Sequence, residues 1–128
     1  MSGKKIVIVD DDETIRKTFF LLLNKKYRVY LAGRAKEALD RFGSAEVDLI
    51  IVDFKLPDLN GLELVSRFRK KGYEGEVILI SAFPDLIELK ELDRLRIGSF
   101  FTKPLDLNAF NRSISRLMDS RASLEKQA

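Results

Sequence analysis

The sequence contains no cysteine and no histidine, and these two absences exclude several classes of chemistry. Without cysteine, the chain has no disulfide, no thiolate nucleophile and no zinc–sulfur site. Without histidine, it has no Ser-His-Asp triad, no histidine general base and no histidine that could carry a phosphoryl group. The chemistry of this chain must therefore rest on other residue types.

Strong net charge and long apolar segments are also missing. The formal net charge is +3 over 128 residues, too small and too scattered to indicate a nucleic-acid-binding protein. No apolar segment reaches membrane-spanning length, and the start of the chain leads directly into a strand pattern. With 45% hydrophobic and 34% charged residues, the composition is that of one globular domain. We expect a soluble cytoplasmic protein that contacts neither membrane nor nucleic acid directly.

Short apolar runs alternate with helical patterns along the chain. The apolar runs predict five strands, at Lys5–Val9, Arg28–Ala32, Val47–Val52, Val77–Ile80 and Ser99–Thr102. Apolar residues at helical spacing predict five helices between and after them, over Glu13–Asn24, Ala35–Phe42 and Leu62–Lys71, with a fourth opened by Pro84 and a fifth capped by Asp106. Strands that alternate with helices form a parallel sheet with helices on both faces, so the predicted fold class is α/β.

The last two predicted helices carry apolar residues that we expect to face the sheet. In the fourth helix, these residues are the leucines at positions 86, 89, 92 and 95. We assign them to the core rather than to a partner surface. In the fifth helix, the apolar face consists of Phe110, Ile114 and Leu117.

Acidic residues follow two of the predicted strands. Asp10, Asp11 and Asp12 come after the first strand, and Asp53 comes after the third. Ligands of parallel sheets bind at the carboxyl ends of the strands, where these acids would meet. Neighbouring carboxylates repel and desolvate one another unless a cation lies between them. Hard oxygen donors suit Mg²⁺, which often binds beside a phosphate, so the cluster predicts a site where a divalent ion meets a phosphoryl group.

The last two strands add a hydroxyl and an ammonium group to the same edge. Ser81 ends the fourth strand, and Lys103 follows the fifth. Lys103 and Mg²⁺ could neutralise phosphoryl oxygens, Ser81 could donate a hydrogen bond to one, and an aspartate could be the nucleophile. Each residue alone has a simpler explanation, since the acids could cap the first helix, as we expect of Asp12, and the others could be ordinary strand-end residues. Their coincidence favours the site.

With these motifs in this order, the sequence resembles the response regulator receiver (CheY-like) domains of two-component signalling. The motifs are Val9-Asp10-Asp11, Asp53 followed by Leu56-Pro57 and Gly61, Ser81-Ala82, and Lys103-Pro104. The resemblance implies a flavodoxin-like, doubly wound sheet of five parallel strands, (βα)5, in the order 2-1-3-4-5. It also implies a receiver domain over residues 1–118. The polar tail over residues 119–128 could extend the last helix or begin a linker to an output domain.

The resemblance implies a metal site and a phospho-acceptor. Asp53 would accept the phosphoryl group. Asp10 and Asp11 would bind Mg²⁺ together with Asp53 and the main-chain carbonyl of Lys55. Mg²⁺ is the one cofactor that we expect.

The remaining residues of the motif would respond to the phosphoryl group. Ser81 would contact it after a small movement, and Lys103 would pair first with the acceptor and then with the phosphate. Phe100 matches the aromatic position whose inward rotation reports phosphorylation, with a plain core role as an equal alternative. We also predict a cis peptide bond between Lys103 and Pro104, with the ammonium group within salt-bridge reach of Asp53.

The function implied by the resemblance is that of a switch in a signalling pathway. The domain would take a phosphoryl group from a partner sensor histidine kinase or phosphotransferase. It would then change an interaction surface formed by the fourth helix, the fifth strand and the fifth helix. The domain would catalyse its own phosphorylation and dephosphorylation, but it would be a signalling domain rather than an enzyme. An output domain or a downstream protein would receive the signal, and phosphorylation could promote dimerisation.

Two alternatives to this function stay open. The first is a Mg²⁺-dependent phosphohydrolase with an aspartyl nucleophile, although 128 residues leave no room for the substrate lid that such an enzyme needs. The second is an interaction module that is never phosphorylated, which the complete set of site residues disfavours. One segment also departs from the family pattern, because Arg96 and Ile97 stand where many receivers have Gly-Ala.

Overall fold

The computed structural model describes residues 3–43 and 46–127, with side-chain environments described through residue 120. Within these residues, five strands alternate with five α-helices. The strands are β1 (Lys5–Val9), β2 (Arg28–Ala32), β3 (Leu49–Asp53), β4 (Glu76–Ser81) and β5 (Ser99–Thr102). The helices are α1 (Glu13–Leu23), α2 (Ala35–Phe42), α3 (Gly61–Lys70), α4 (Leu89–Arg94) and α5 (Leu107–Gln127), with a 3₁₀ turn at Pro84–Leu86.

The strands pair in parallel in the order β2-β1-β3-β4-β5, which confirms the predicted topology. The chain moves from β1 outward to β2 on one side and then crosses to β3 on the other, so the strand order reverses beside β1. In this register, Val9 lies opposite both Ala32 and Val52. The carboxyl ends of β1 and β3 are therefore neighbours, and Asp10 and Asp53 lie side by side at the edge of the sheet.

Helices cover both faces of the sheet, as predicted. Because side chains alternate along a strand, Val7 and Val9 pack toward α2 and α3, whereas Ile6 and Ile8 pack toward α1 and α5. All four of these β1 side chains are completely buried. The predicted inner face of α5 is confirmed, since its members are buried: Phe110, Ile114 and Leu117.

Most predicted boundaries agree with the structure to within two residues. The helix α3 begins at Gly61 because the Asn60 side chain accepts a hydrogen bond from the backbone N–H of Glu63 and acts as the N-cap. Asp106 caps α5 in the same way, as predicted. The helix α5 continues to Gln127, so residues 119–127 extend the last helix. No described helix combines the length and apolar character needed to cross a membrane.

The fourth helix differs from its prediction. The chain forms a 3₁₀ turn from Pro84, becomes extended at Ile87 (φ −114°, ψ 121°) and begins α4 only at Leu89. Leu86 and Leu89 are 65% and 80% exposed, so their assignment to the core is wrong. Leucines spaced three residues apart drift around a helix, and Leu89 and Leu95 point about 120° apart. Leu95 is buried and the partly buried Leu92 packs against the core, as predicted, whereas Leu86 and Leu89 face solvent.

The segment that departs from the family pattern forms the end of α4. Arg96 adopts a left-handed conformation with φ 57°, which is usual for glycine and uncommon for other residues. Its N–H donates to the carbonyl of Asp93, and the N–H of Ile97 donates to the carbonyl of Leu92. This is the hydrogen-bond pattern of a Schellman helix end, so the substitution keeps the usual helix termination at a cost in backbone energy.

The side chain of Arg69 supports this helix end. Its Nε donates to the carbonyl of Leu95 at 3.0 Å, and its Nη2 donates to the carbonyl of Arg96 at 3.1 Å. Its Nη1 donates to the carbonyls of Tyr73 and Gly75 at 3.0 and 2.8 Å. One guanidinium group therefore satisfies four backbone acceptors and joins the α3–β4 connection to the α4–β5 connection.

We expect Arg69→Ala to lower the free energy of unfolding by about 2–3 kcal/mol, because four carbonyls lose a charged donor. Urea unfolding monitored by circular dichroism would measure the loss. Arg67→Ala is the matched control, since this exposed residue makes one ion pair with Glu63 and should cost less than about 0.5 kcal/mol. Equal losses for the two variants would contradict the structural role of Arg69.

Candidate functional site

Three carboxylates converge at the carboxyl edge of the sheet. Asp53 is the last residue of β3, and Asp10 directly follows β1. Both are buried, whereas Asp11 is exposed at the mouth of the site. One carboxylate oxygen from each of the three lies within 4.8 Å of the others. The sheet register thus brings Asp53 together with Asp10 and Asp11, which come from a different segment of the sequence.

The hydrogen bonds of the β1–α1 turn fix the direction of Asp10. Its Oδ1 accepts the N–H of Asp12 at 2.9 Å, and its main-chain carbonyl accepts Nη1 of Arg16 at 2.6 Å. Its Oδ2 is buried and accepts no hydrogen bond from the described part of the chain. The Asp12 side chain accepts the N–H groups of Thr14 and Ile15, which confirms its predicted role as the cap of α1.

Lys103 faces the two buried acids. Its Nζ lies 3.4 Å from Oδ2 of Asp53 and 3.6 Å from Oδ2 of Asp10. The Lys103–Pro104 peptide bond is cis, and the ammonium group lies within salt-bridge reach of Asp53, so both parts of this prediction are confirmed. Lys103 therefore places one positive charge opposite a cluster of three carboxylates.

The excess of negative charge changes the protonation of the acids. Burial, followed by the charge of Asp10, raises the pKa of Asp53 to about 6, despite the opposing effect of Lys103. Burial also raises the pKa of Asp10. A buried oxygen without a donor, beside carboxylates with raised pKa values, is the arrangement that a hard divalent cation would relieve. The donor set fits Mg²⁺, whose charge and oxygen preference match these ligands.

Ser81 is completely buried at the end of β4. Its Oγ accepts the backbone N–H of Phe83 at 2.8 Å, so the hydroxyl is engaged with the loop that follows its own strand. Because it is an acceptor in that bond, its own hydrogen is free to turn toward another oxygen. A contact with a phosphoryl group at Asp53 would require the movement that the resemblance implies.

A small open pocket of about 250 Å³ lies above Asp53. Its lining includes Lys55 and Phe83, and Nζ of Lys55 lies 5.2 Å from the centre of the Phe83 ring. At this distance the two side chains make a cation–π contact across the opening of the pocket. Phe83 had no predicted role, although its position two residues after Ser81 places it on the loop beside the site.

The loop after Asp53 is held from two sides. A Cβ atom at Gly61 would lie 2.6 Å from the Asp53 carbonyl, so only glycine permits the close approach of α3 to β3 at this point. On the other side, Asp58 accepts the backbone N–H groups of Ala35 and Lys36 at 2.9 Å. Asp58 therefore supplies the capping carboxylate for α2 from a different loop, in place of the N-cap residue Arg34. Only one local feature hinted at this contact, namely that the arginine at the N-cap position of α2 cannot itself cap the helix.

Phe100 lies on β5 beside Leu79 of β4 and is half-buried. It packs against the hydrophobic cluster that includes α2, α3 and Leu95. A half-buried aromatic side chain is compatible either with a plain core role or with an inward rotation on phosphorylation. The choice between the two stays a prediction.

Known proteins resemble this chain over most of its length. The sequence model of the response regulator receiver domain matches residues 6–115. Sporulation initiation phosphotransferase F of Bacillus subtilis is 27% identical over 96% of this chain and 100% of its own length. Transcriptional regulatory protein PmrA of Pectobacterium parmentieri is 42% identical over 89% of this chain and 52% of its own length. The chain thus spans all of the first relative and about half of the second.

Solved structures agree with the fold. A CheY-like receiver domain protein from Methanospirillum hungatei superimposes with a TM-score of 0.85 at 26% identity, covering 99% of this chain and 100% of its own. The response regulator TrrA from Thermotoga maritima, in complex with Mg²⁺ and BeF, gives a TM-score of 0.76 at 28% identity. That comparison covers 89% of this chain and 98% of the other.

The raised pKa of Asp53 predicts how the stability of the metal-free protein depends on pH. The carboxyl group ionises near 3.8 when unfolded and near 6 when folded, so stability falls as the pH rises through this window. In EDTA near pH 7, Asp53→Asn should therefore raise the free energy of unfolding by about 2–3 kcal/mol. The gain should shrink to about 0.5 kcal/mol near pH 4, where the folded wild-type carboxyl group is protonated and the unfolded one is a little more than half ionised.

Urea unfolding at the two pH values would measure this gain. Asp12→Asn is the control, because asparagine caps a helix as well as aspartate does and Asp12 lies outside the buried cluster. A gain for Asp53→Asn that is equal at both pH values would contradict the electrostatic explanation.

Proposed function

This chain belongs to the response regulator receiver domain family, and we propose that Asp53 is the residue that accepts its phosphoryl group. The observation that carries this proposal is the position of the Asp53 carboxylate. It lies at the end of a buried central strand, 3.4 Å from the Lys103 ammonium and beside Asp10 and Asp11. The open pocket above it gives a phosphodonor access to the carboxylate.

The transfer needs an ionised carboxylate and charge stabilisation at the phosphoryl group. One carboxylate oxygen of Asp53 forms a bond to phosphorus while the bond between phosphorus and the donor breaks, and the electron pair leaves with the donor. Lys103 is placed to neutralise a phosphoryl oxygen. Ser81 donates its hydroxyl hydrogen to another oxygen after it turns away from the Phe83 loop. Hydrolysis of the acyl phosphate by water later restores Asp53.

Mg²⁺ is the proposed cofactor of this reaction. Asp10, Asp11 and Asp53 would hold it together with the main-chain carbonyl of Lys55. The buried Oδ2 of Asp10, which lacks a hydrogen-bond donor in the described structure, supports this assignment. When bound, the ion supplies positive charge to the phosphoryl oxygens. The complex of the related TrrA protein with Mg²⁺ and BeF is consistent with this proposal.

The proposed donor is a sensor histidine kinase or a phosphotransferase, since this chain has no histidine of its own. A downstream protein or an output domain would receive the signal, and phosphorylation could promote dimerisation. The proposed receiver unit is residues 1–118, with the helical extension from residue 119 as the route to any further domain. We also propose that this signalling domain acts in the cytoplasm.

Incubation with acetyl phosphate and Mg²⁺ should add one phosphoryl group to the wild-type chain, as measured by intact-protein mass spectrometry. Asp53→Asn should remain unlabelled because it lacks the nucleophilic carboxylate. Asp11→Ala should be labelled more slowly, and excess Mg²⁺ should restore part of its rate, since one metal ligand is lost.

Asp12→Asn is the control for this experiment, because it removes a neighbouring charge but keeps the cap of α1. It should be labelled like the wild type. Full labelling of Asp53→Asn would disprove the acceptor assignment. Turnover of free phosphate esters by the wild type would instead indicate a phosphohydrolase.

We further propose that phosphorylation changes the surface formed by α4, β5 and α5. Ser81 and Phe100 lie on adjacent strands, with Ser81 paired to Thr102 and Phe100 paired to Leu79. A movement of Ser81 toward the phosphate would open space beside the half-buried Phe100 ring. The coupling requires that the two states pack the ring with different energies, because proximity alone shifts no equilibrium.

Loading with beryllofluoride and Mg²⁺, which stands in for the acyl phosphate, should bury the Phe100 ring more deeply. Crystal structures of the loaded and unloaded forms would measure the rotation, and sedimentation would measure any change in self-association. An unchanged Phe100 rotamer with unchanged association would mean that Phe100 has a plain core role.

A further inference from the structure

A second cavity lies away from the acceptor site, between α2 and α3. It is an open groove of about 620 Å³ and shares no lining residue with the pocket above Asp53. Its apolar base consists of Leu39 and Leu59, which are half-buried and pack on the hydrophobic cluster of this face. The proposed phosphoryl transfer uses no part of this groove.

The walls of the groove carry charged residues of both signs, but their charges do not balance. The cations are Lys36, Arg67, Lys70 and Lys71, and the acids are Asp40 and Asp58. Asp58 is already bound to two N–H groups at the start of α2, and Asp40 pairs with Lys36 at 3.3 Å. An excess of positive charge therefore remains along the α3 wall.

This excess is concentrated at the end of α3. Lys70 and Lys71 lie three and four residues after Arg67, which places both beside it on the groove side of α3, with Lys71 as the C-cap of the helix. Arg67 pairs with Glu63, but Lys70 and Lys71 make no ion pair with any residue that the structure describes. A helix dipole favours cations in the last turn in general, but it does not explain why they border an apolar base.

We propose that the α2–α3 groove binds an acidic segment of a partner protein. An apolar side chain of that segment packs on Leu39 and Leu59, while its carboxylates pair with Lys70 and Lys71. A phosphate-bearing small molecule fits less well, because the backbone donors at the start of α2, those of Ala35 and Lys36, already bind Asp58. An acidic segment with an apolar side chain thus complements both features of the groove, its apolar base and its excess of positive charge.

The test uses a fluorescein-labelled synthetic peptide rich in glutamate, with two leucines one helical turn apart, and follows binding to the metal-free wild-type chain by fluorescence anisotropy. Lys70→Glu should weaken binding about tenfold, because it places a repulsive charge in the groove. Lys25→Glu is the matched control, since Lys25 is also an exposed lysine and the net charge changes equally. This control should bind within about twofold of the wild type.

The apolar contact has its own control. A peptide with serine in place of both leucines should lose most of its affinity if Leu39 and Leu59 form the base of the site. Three results would overturn the proposal: absence of binding, equal weakening by the two lysine variants, or equal binding of the serine peptide. Displacement of the peptide by a nucleoside diphosphate at lower concentration than by unlabelled peptide would assign the groove to phosphate-bearing ligands instead. Because no metal or phosphodonor is present, none of these results depends on the role of Asp53.

Discussion

The central constraint on this structure is the burial of two carboxylates, those of Asp10 and Asp53, which the strands hold side by side. Their raised pKa values reflect the energy of keeping two carboxylates in a poorly solvated place with one facing ammonium group. The strands can impose this arrangement because β1 and β3 are buried on both faces by aliphatic side chains. The hydrophobic core thus holds the unfavourable negative charge at the edge of the sheet, where the proposed cation and phosphoryl group would stabilise it.

The loops around the acids are constrained by residues that do not themselves react. Arg16 fixes the carbonyl of Asp10, Gly61 permits the close approach of α3, and Asp58 ties the loop after Asp53 to the start of α2. These contacts keep the carboxylates in place without neutralising them. The site therefore combines a rigid scaffold with unsatisfied charge, which is the condition for preorganised binding of a charged ligand.

Sequence reasoning located the strands and the acids because both follow from local patterns. A run of buried aliphatic residues that ends in Asp10 or Asp53 predicts a strand and its carboxyl end together, and parallel topology then brings the acids to one edge. It failed for α4, where leucines three residues apart resembled a continuous inner face although Leu86 and Leu89 are exposed. It also missed the cap from Asp58 and the bonds of Arg69, which join residues 23 and 26 positions apart. Contacts of that kind depend on how elements pack and leave no mark on local spacing.

The bonds of Arg69 also determine the mechanics of α4. They hold this short helix at its end near Leu95, whereas the other end continues into the 3₁₀ turn and the loop that begins at Ser81. Because Arg69 holds α4 near Leu95, a tilt of the helix displaces each residue in proportion to its distance from Leu95. Any tilt of α4 would therefore carry Leu89 through a wider arc than Leu95. A small shift at the sheet edge would therefore become a larger displacement of the exposed Leu89 side chain.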